Sequence, residues 1–146
     1  MNYRMSNVVA GIGRGQLLHV KEHRELKEKI YRRYEKEFKE LPVRMNPYME
    51  EANPNYWLSC ILIDEDSDVN FMDIMNRLQK ENIECRPVWK PMHMQPVFQN
   101  NECIYMEENP VNEEIFNRGL CLPSDIKMTE EEQEKVISIV KRCFED

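Results

Sequence analysis

The chain has 146 residues, of which 41% are hydrophobic and 32% are charged, and its formal net charge is −7 at pH 7. These values predict a globular chain with a sizeable core, and the acidic balance argues against general nucleic-acid binding, which needs a basic surface. No apolar run approaches the ~20 residues that span a bilayer. The five cysteines form no CxxC pair and no signal peptide is visible, so we expect free thiols in a reducing cytoplasm, with Cys60 and Cys143 in the core.

The first predicted element is one long helix over residues 6–41. Apolar residues recur every three or four positions along it, with mixed charges on the other faces, which is typical of an amphipathic helix that Pro42 ends. A helix of about 36 residues would be roughly 54 Å long, so one end should project beyond the core of a small domain. Its apolar stripe consists of Leu26, Ile30, Tyr34, Phe38 and Leu41.

Two patterns within this segment suggest binding sites but are better explained structurally. Gly11, Gly13 and Gly15 lack the preceding strand and the full motif of a phosphate-binding loop, so close packing against a partner surface is favoured. His19 and His23 are four residues apart and could chelate a metal ion, but no third ligand is evident. We therefore predict a solvated helix face and no metal site.

The middle of the chain predicts a strand, an acidic turn and a helix. Residues 56–63 are almost continuously apolar and are expected to form a strand that is buried on both faces. The turn at 64–68 lacks the alternating carboxylates, glycine and distal glutamate of a calcium loop, so a solvated turn is favoured. Ser67 or Asp68 should cap a helix of about a dozen residues that begins near Phe71.

Shorter elements complete the prediction, and their order implies an α/β (α+β) sandwich with helices packed on a sheet of three or four strands. Thr129 and Glu132 form a capping box that opens the final helix. We expect residues 1–42 to be an inter-domain segment and 43–146 to be a small α/β domain. The shorter elements are an edge strand near 43–45, a strand over 83–88, a helix from Pro110 to about 117 and a strand over 120–123.

Residues 86–98 hold the densest set of candidate binding groups. Three prolines exclude an ordinary helix or strand, so a stiff, irregular connection is predicted. His93 lies among apolar residues, and it is either a loop histidine bonded to the backbone or a group that faces an anionic ligand. Lys90 follows Trp89, where a stem packed on the ring with its charge in water is more typical than a covalent catalyst.

The N-terminal segment, residues 2–7, is a second candidate. It places the amide of Asn2, a phenol and the guanidinium of Arg4 immediately before a helix, and a helix N-terminus with a fixed arginine suits anions. The alternative is a frayed chain end.

Three segments, in this order, resemble the DegT/StrS family of nucleotide-sugar aminotransferases. The resemblance covers essentially all 146 residues. It implies the fold of the small C-terminal domain of type I pyridoxal-phosphate enzymes. It also implies a cytoplasmic homodimer of polysaccharide biosynthesis that moves an amino group, usually from glutamate, to a nucleotide-linked keto sugar. The segments are residues 2–7 with Gly13, Gln16 and Leu17; residues 86–98 with their Trp-Lys-Pro-Met-His-x-Gln-Pro core; and residues 119–124 with 129–131.

The same resemblance implies roles for particular residues. Asn2 would contact the phosphate of pyridoxal 5'-phosphate in the neighbouring subunit, and Arg4 would line the same site. His93 matches a small-domain histidine that approaches the sugar. Residues 89–92 look most like members acting on UDP-linked 4-keto-6-deoxy sugars. The implied substrate-binding residues are Arg86, Trp89, Lys90 and His93.

This sequence departs from the family in length, because members are more than twice as long. Their Schiff-base lysine, and the aspartate that pairs with the cofactor's pyridine nitrogen, belong to a large N-terminal domain. We therefore expect a C-terminal fragment that has no catalytic residue of its own, binds no cofactor covalently and is inactive alone. The alternatives are a binding or interaction module that pairs with a separate large-domain chain, and a product without activity.

Overall fold

The computed structural model describes residues 4–49, 51–104 and 110–145, which form a four-stranded sheet and five α-helices. This confirms the predicted mixed α/β fold with a small sheet. Two 3-10 turns, Met92–Met94 and Pro96–Phe98, lie in the proline-rich segment. In chain order the elements are α1 (Asn7–Leu17), α2 (Val20–Glu37), β1 (Val43–Met45), β2 (Ser59–Ile63), α3 (Phe71–Lys80), β3 (Arg86–Pro87), α4 (Val111–Arg118), β4 (Gly119–Leu122) and α5 (Glu130–Cys143).

The sheet has the order β1-β2-β4-β3, and every neighbouring pair is antiparallel. The register places Cys121 on β4 between two partners. Cys60 lies opposite it on the other central strand, β2, and Arg86 lies opposite it on the edge strand, β3. Because β3 pairs only through Arg86 and Pro87, it is much shorter than the predicted strand over 83–88. A proline has no N–H to donate, which suits an edge position and limits how far the ladder extends.

The core lies between one face of the sheet and the helices α2, α3 and α5. The buried side chains on α5 recur at helical spacing, and Phe144, which follows the helix, is partly buried against the same core. Cys143 is buried as expected, whereas Cys60 is half-buried on the opposite face of the sheet. The buried core includes Ile30, Tyr34, Phe38, Ile61, Ile74, Leu78, Leu120, Ile137 and Val140.

The prediction of one long helix over 6–41 is wrong. The chain forms two helices, and the break falls at Leu18 and His19, whose amides donate to carbonyl oxygens only three residues back. Helix α2 then ends at Glu37, before Pro42, and the following residue, Phe38, is buried in the core at 2% exposure. Helix α1 buries none of its side chains, and its three glycines lower its intrinsic helix stability by roughly 1 kcal/mol each relative to alanine.

The strand predicted over 56–63 is also shorter and less buried than expected. Strand β2 begins at Ser59, and its residues alternate between buried and half-buried, so only one face lies in the core. Trp57, which was assigned to that buried strand, is 63% exposed. The sequence hid this alternation of burial, because the half-buried Cys60 and Leu62 are apolar like the buried Ile61 and Ile63.

One of the two predicted helix caps is confirmed, and the other is wrong. Thr129 and Glu132 form the predicted capping box of α5. Helix α3 is capped by Asn70 with Asp73, and not by Ser67 or Asp68 as predicted. Ser67 instead accepts a hydrogen bond from the amide of Val69, 3.2 Å away. No helix in the described ranges is both long and apolar enough to cross a bilayer.

Candidate functional site

An open groove with a volume of about 1160 Å³ follows the edge strand β3. Arg86, Trp89 and Lys90, three of the predicted substrate-binding residues, line it together with Trp57 and Phe116. Residues of α3, α4 and β4 complete the lining, so the groove depends on how these elements pack around the sheet edge.

Two tryptophans from distant parts of the sequence meet at this groove. The rings of Trp57 and Trp89 have centroids 6.1 Å apart and are inclined by 39°. Both side chains are 63% exposed. Exposed aromatic rings of this kind offer flat apolar surface to a ring-bearing ligand. The sequence indicated Trp89 but missed Trp57, which was predicted to lie inside a buried strand; only the start of β2 at Ser59 leaves it outside.

The cations of the groove are accessible. The guanidinium of Arg86 donates to Oε1 of Glu84 at 2.5 Å, with both side chains largely exposed. Lys90 is exposed, and its carbonyl oxygen accepts from the side-chain amide of Gln95 at 3.3 Å. A surface ion pair in water contributes little, so an anionic ligand could replace Glu84 as the partner of Arg86. The exposed Lys90 matches the predicted lysine with its head in water.

His93 lies outside the groove that Arg86 lines. It sits on the first 3-10 turn, which Pro91 opens by accepting a hydrogen bond from the amide of Met94 at 3.1 Å. Its Nε2 lies 2.8 Å from Oε1 of Glu113 on helix α4, and the imidazole is 18% exposed. The carboxylate therefore fixes the ring, and sequence reasoning missed Glu113 because it appeared only as one of several acidic residues.

At the N-terminus, Asn2 lies outside the described residues. Arg4 is exposed and precedes α1, which Ser6 caps by accepting from the amide of Val9 at 3.3 Å. The structure therefore keeps Arg4 separate from the buried core. His19 and His23 stack with centroids 6.0 Å apart, and the described residues contain no group of three side chains suited to a metal ion.

Lys27 is one of two lysines, with Lys141, that are not fully exposed. Its Nζ donates to the carbonyl oxygens of Ser124 and of Trp57, the latter at 3.2 Å. Burial lowers the pKa of this ammonium, and the charge of Asp125 opposes that effect. The amine is therefore occupied in joining α2 to the ends of two strands.

The fold is an α+β domain in which an unpaired sheet edge lies beside exposed cations and indoles. The chain belongs to the DegT/DnrJ/EryC1/StrS aminotransferase family, whose model matches residues 1–141. Pyridoxal phosphate is the cofactor of these sugar aminotransferases.

Curated relatives extend well beyond this chain. A putative pyridoxal phosphate-dependent aminotransferase of Bacillus subtilis, EpsN, is 40% identical over 98% of the chain, which spans 37% of the relative's length. GDP-perosamine synthase of Vibrio cholerae is 28% identical over 98% of the chain, which spans 38% of that protein. A crystal structure of a DegT DnrJ EryC1 StrS aminotransferase from Brucella abortus matches with a TM-score of 0.81 over 98% of this chain and 37% of its own, at 22% identity, which supports the fold.

The described residues do not fit covalent attachment of that cofactor. Their lysines are exposed on the surface, apart from Lys27 and Lys141. Lys27 is held by two carbonyl oxygens, and Lys141 is paired with Glu37 at 2.6 Å. A lysine that carries the cofactor needs a free amine in a sheltered site, and no amine in the described ranges meets both conditions.

Proposed function

We propose that this chain is the nucleotide-sugar-binding part of an aminotransferase that moves an amino group, from glutamate, to the keto group of a nucleotide-linked sugar. The specific substrate we propose is a UDP-linked 4-keto-6-deoxy sugar. The observation that carries the proposal is the groove at β3, where Arg86 and Lys90 stand beside Trp57 and Trp89. Family membership supplies the class of reaction.

In this proposal each side chain has a role that its surroundings allow. Arg86 exchanges its exposed pairing with Glu84 for a diphosphate oxygen, because a guanidinium binds phosphate with two parallel hydrogen bonds. Lys90 adds a second cation, and the indole of Trp89 provides apolar surface for a ring. His93, oriented by Glu113, faces the sugar where the chain meets the rest of an active site.

A binding titration tests the groove directly. UDP is titrated calorimetrically into the purified chain, and into the variants Arg86→Ala and Trp89→Ala. Arg86→Ala loses a charge-assisted hydrogen bond at an exposed site, which should weaken UDP binding by about 5–10-fold. Arg44→Ala is the matched control, because Arg44 lies on β1, at the other edge of the sheet, and is likewise paired with a carboxylate, Asp64, at 3.3 Å. Equal effects of Arg86→Ala and Arg44→Ala, or no binding of UDP by the unaltered chain, would contradict the proposal.

We also propose that the chain alone is inactive and contributes no catalytic residue. The environments of Lys27 and Lys141 support this, because neither amine is free. The test is to incubate the chain with pyridoxal 5'-phosphate, reduce with borohydride and measure its intact mass. A stoichiometric adduct on one lysine, or turnover of glutamate by the chain alone, would refute inactivity without affecting the binding proposal.

The proposed assembly is a cytoplasmic homodimer in which residues 1–42 and 43–146 are distinct parts. Helix α2 packs on the core through Ile30, so the segment available to another surface is α1, which exposes Val8, Val9 and Ile12 at 54–73%. Apolar exposure of this extent favours association. Light scattering at increasing concentration checks this, and a strict monomer at the highest concentration would count against the homodimer.

The second candidate is a non-catalytic module that binds the nucleotide sugar and pairs with a separate large-domain chain. The absence of a free, sheltered lysine amine in the described ranges favours it. Mixing the chain with a lysine-bearing large-domain chain distinguishes the two, because recovered amino transfer supports a shared active site. Binding of UDP without recovered activity would favour the module.

A further inference from the structure

Two thiols meet on the face of the sheet opposite the core. Cys60 and Cys121 are directly opposed on β2 and β4, and their Sγ atoms are 3.4 Å apart. Both are free cysteines, Cys60 half-buried and Cys121 8% exposed. They are 61 residues apart in sequence, so only the pairing of the central strands brings them together.

The backbone bonding places the two residues in the closer of the two kinds of antiparallel pair. The amide and carbonyl of Cys60 both bond to Asn46, at 2.9 Å each, and therefore point away from β4. The carbonyl of Gly119, two residues before Cys121, accepts from Val88 at 3.1 Å and points away from β2. In such a non-hydrogen-bonded pair the Cα atoms lie about 4.5 Å apart, within the range of about 4.4–6.8 Å that a disulfide bridges.

We propose that Cys60 and Cys121 are a redox-modification site, a dithiol that a peroxide converts reversibly to a cross-strand disulfide. A disulfide holds its sulfur atoms about 2.0 Å apart, so the pair must close by about 1.4 Å from its present 3.4 Å. Rotation of the side chains supplies most of that movement, because the strands already lie in register. The proposal is independent of the nucleotide-sugar function.

The surroundings of the two thiols differ, and so do their roles in the proposed oxidation. The two thiols share a hydrogen bond, and this contact lowers the pKa of Cys121 and raises the pKa of Cys60. Cys121 also lines the groove along β3, which gives a peroxide access from solvent. Burial raises the pKa of the neighbouring Cys85 to about 11, so its thiolate, the reactive form, is scarce at neutral pH. Because Cys121 lines this solvent-filled groove, we assign it as the attacking sulfur and Cys60 as the resolving one.

The chemistry proceeds in two balanced steps. The thiolate of Cys121 attacks one oxygen of hydrogen peroxide, the O–O bond breaks, and protonation of the leaving oxygen gives water and a sulfenic acid on Cys121. The sulfur of Cys60 then attacks the sulfenic sulfur, the S–O bond breaks, and a second water leaves with the thiol proton. The two thiols together lose two electrons, and one molecule of hydrogen peroxide is reduced to two waters. A small dithiol reverses the reaction by thiol–disulfide exchange.

The test uses the full chain, folded and dilute, treated with hydrogen peroxide and then with catalase. Remaining thiols are alkylated in denaturant, and non-reducing digestion with mass spectrometry locates the links. We expect two of the five thiols to be lost, one peptide pair to join Cys60 to Cys121 within a single chain, and dithiothreitol to restore both thiols. The wild-type result decides the proposal even if a variant folds poorly.

Variants identify the partners. Cys103→Ser removes an exposed competing thiol and Cys85→Ser removes the nearest alternative, and both should still form the link. Cys121→Ser should lose only one thiol or none. The proposal is overturned if Cys60 and Cys121 both stay alkylatable in the wild-type chain. A link from either to Cys85, a link between chains, or irreversible oxidation of Cys121 without a link would overturn it as well.

Discussion

The phenol of Tyr34 donates a hydrogen bond of 3.0 Å to the carbonyl oxygen of Pro123. Tyr34 is fully buried on α2, and Pro123 follows the last residue of β4. The bond thus joins the second helix to the end of a central strand, 89 residues away. Because burial raises the pKa of Tyr34, this phenol remains a donor throughout the ordinary pH range.

Tyr34→Phe should therefore destabilise the chain while keeping its packing. The substitution leaves the Pro123 carbonyl without its donor, which costs about 1–3 kcal/mol when the acceptor is buried. Urea denaturation followed by circular dichroism measures the loss. Tyr34→Leu, which also removes ring contacts with Phe38, should be less stable still. An unchanged midpoint for Tyr34→Phe would mean that the bond contributes nothing net.

Gly119 tolerates no side chain. A Cβ atom there would lie 2.6 Å from Cγ2 of Val88 and would also collide with the backbone oxygen of Ile115. Gly119→Ala should destabilise the chain by about 1–3 kcal/mol, because a backbone neighbour cannot move aside as a flexible side chain can. Gly13→Ala is the matched control, since a Cβ atom at Gly13 would meet nothing within 4 Å. Equal denaturation midpoints for the two variants would contradict the prediction.

Alkaline pH should weaken the fold through Tyr31. Burial, followed by the charge of Glu35, raises the pKa of Tyr31 to about 12, from the ordinary value of about 10. A pKa that is raised in the folded state gives stability that is complete below about pH 10 and is lost as pH rises toward 12. Denaturation midpoints between pH 8 and 12 should therefore fall.

Tyr31→Phe provides the control for that pH series. Its midpoint at pH 8 should be lower than that of the wild-type chain, because the hydrogen bond of 2.8 Å to the Asn46 carbonyl is lost. The further fall between pH 10 and 12 should be smaller, because one of the titrating phenols is gone. Identical slopes for the two proteins would exclude Tyr31 as a source of the effect.

Single substitutions should measure how much the capping box of α5 contributes to stability. Thr129→Ala removes the acceptor of the Glu132 amide, at 3.1 Å, and should cost about 1 kcal/mol of stability. Thr129→Ser retains a hydroxyl and should recover most of that loss. Thermal unfolding of the three proteins checks the order, and a Thr129→Ala variant as stable as wild type would show that the cap is dispensable.

Local signals in the sequence predicted the elements that depend on local chemistry. The box at Thr129 and Glu132 was predicted because its spacing is set within one helical turn. The signal failed for α3, where Asn70 caps in place of Ser67, because several polar residues in a row can all begin a helix. It failed for the break at His19 because no proline or glycine stands at residues 18–20, where leucine, histidine and valine are all tolerated within a helix.

The candidate site was predictable only in part. Arg86, Trp89 and Lys90 are close in sequence, so any structure that exposes the segment puts them near one another. Trp57 and Glu113 come from distant elements, and their contacts with Trp89 and His93 depend on strand order and on the placement of α4. The sequence alone could not indicate these contacts, because they join residues that are far apart along the chain.

The sequence by itself determined the family and the mixed α/β class, because these depend on ordered motifs and on the periodicity of apolar residues. Tertiary structure alone decided which face of β2 is buried, where the groove opens and that Cys60 meets Cys121. The physical reason is that antiparallel register and helix packing join residues 61 positions apart. Such contacts depend on the whole chain's burial of apolar surface, and no local pattern encodes them.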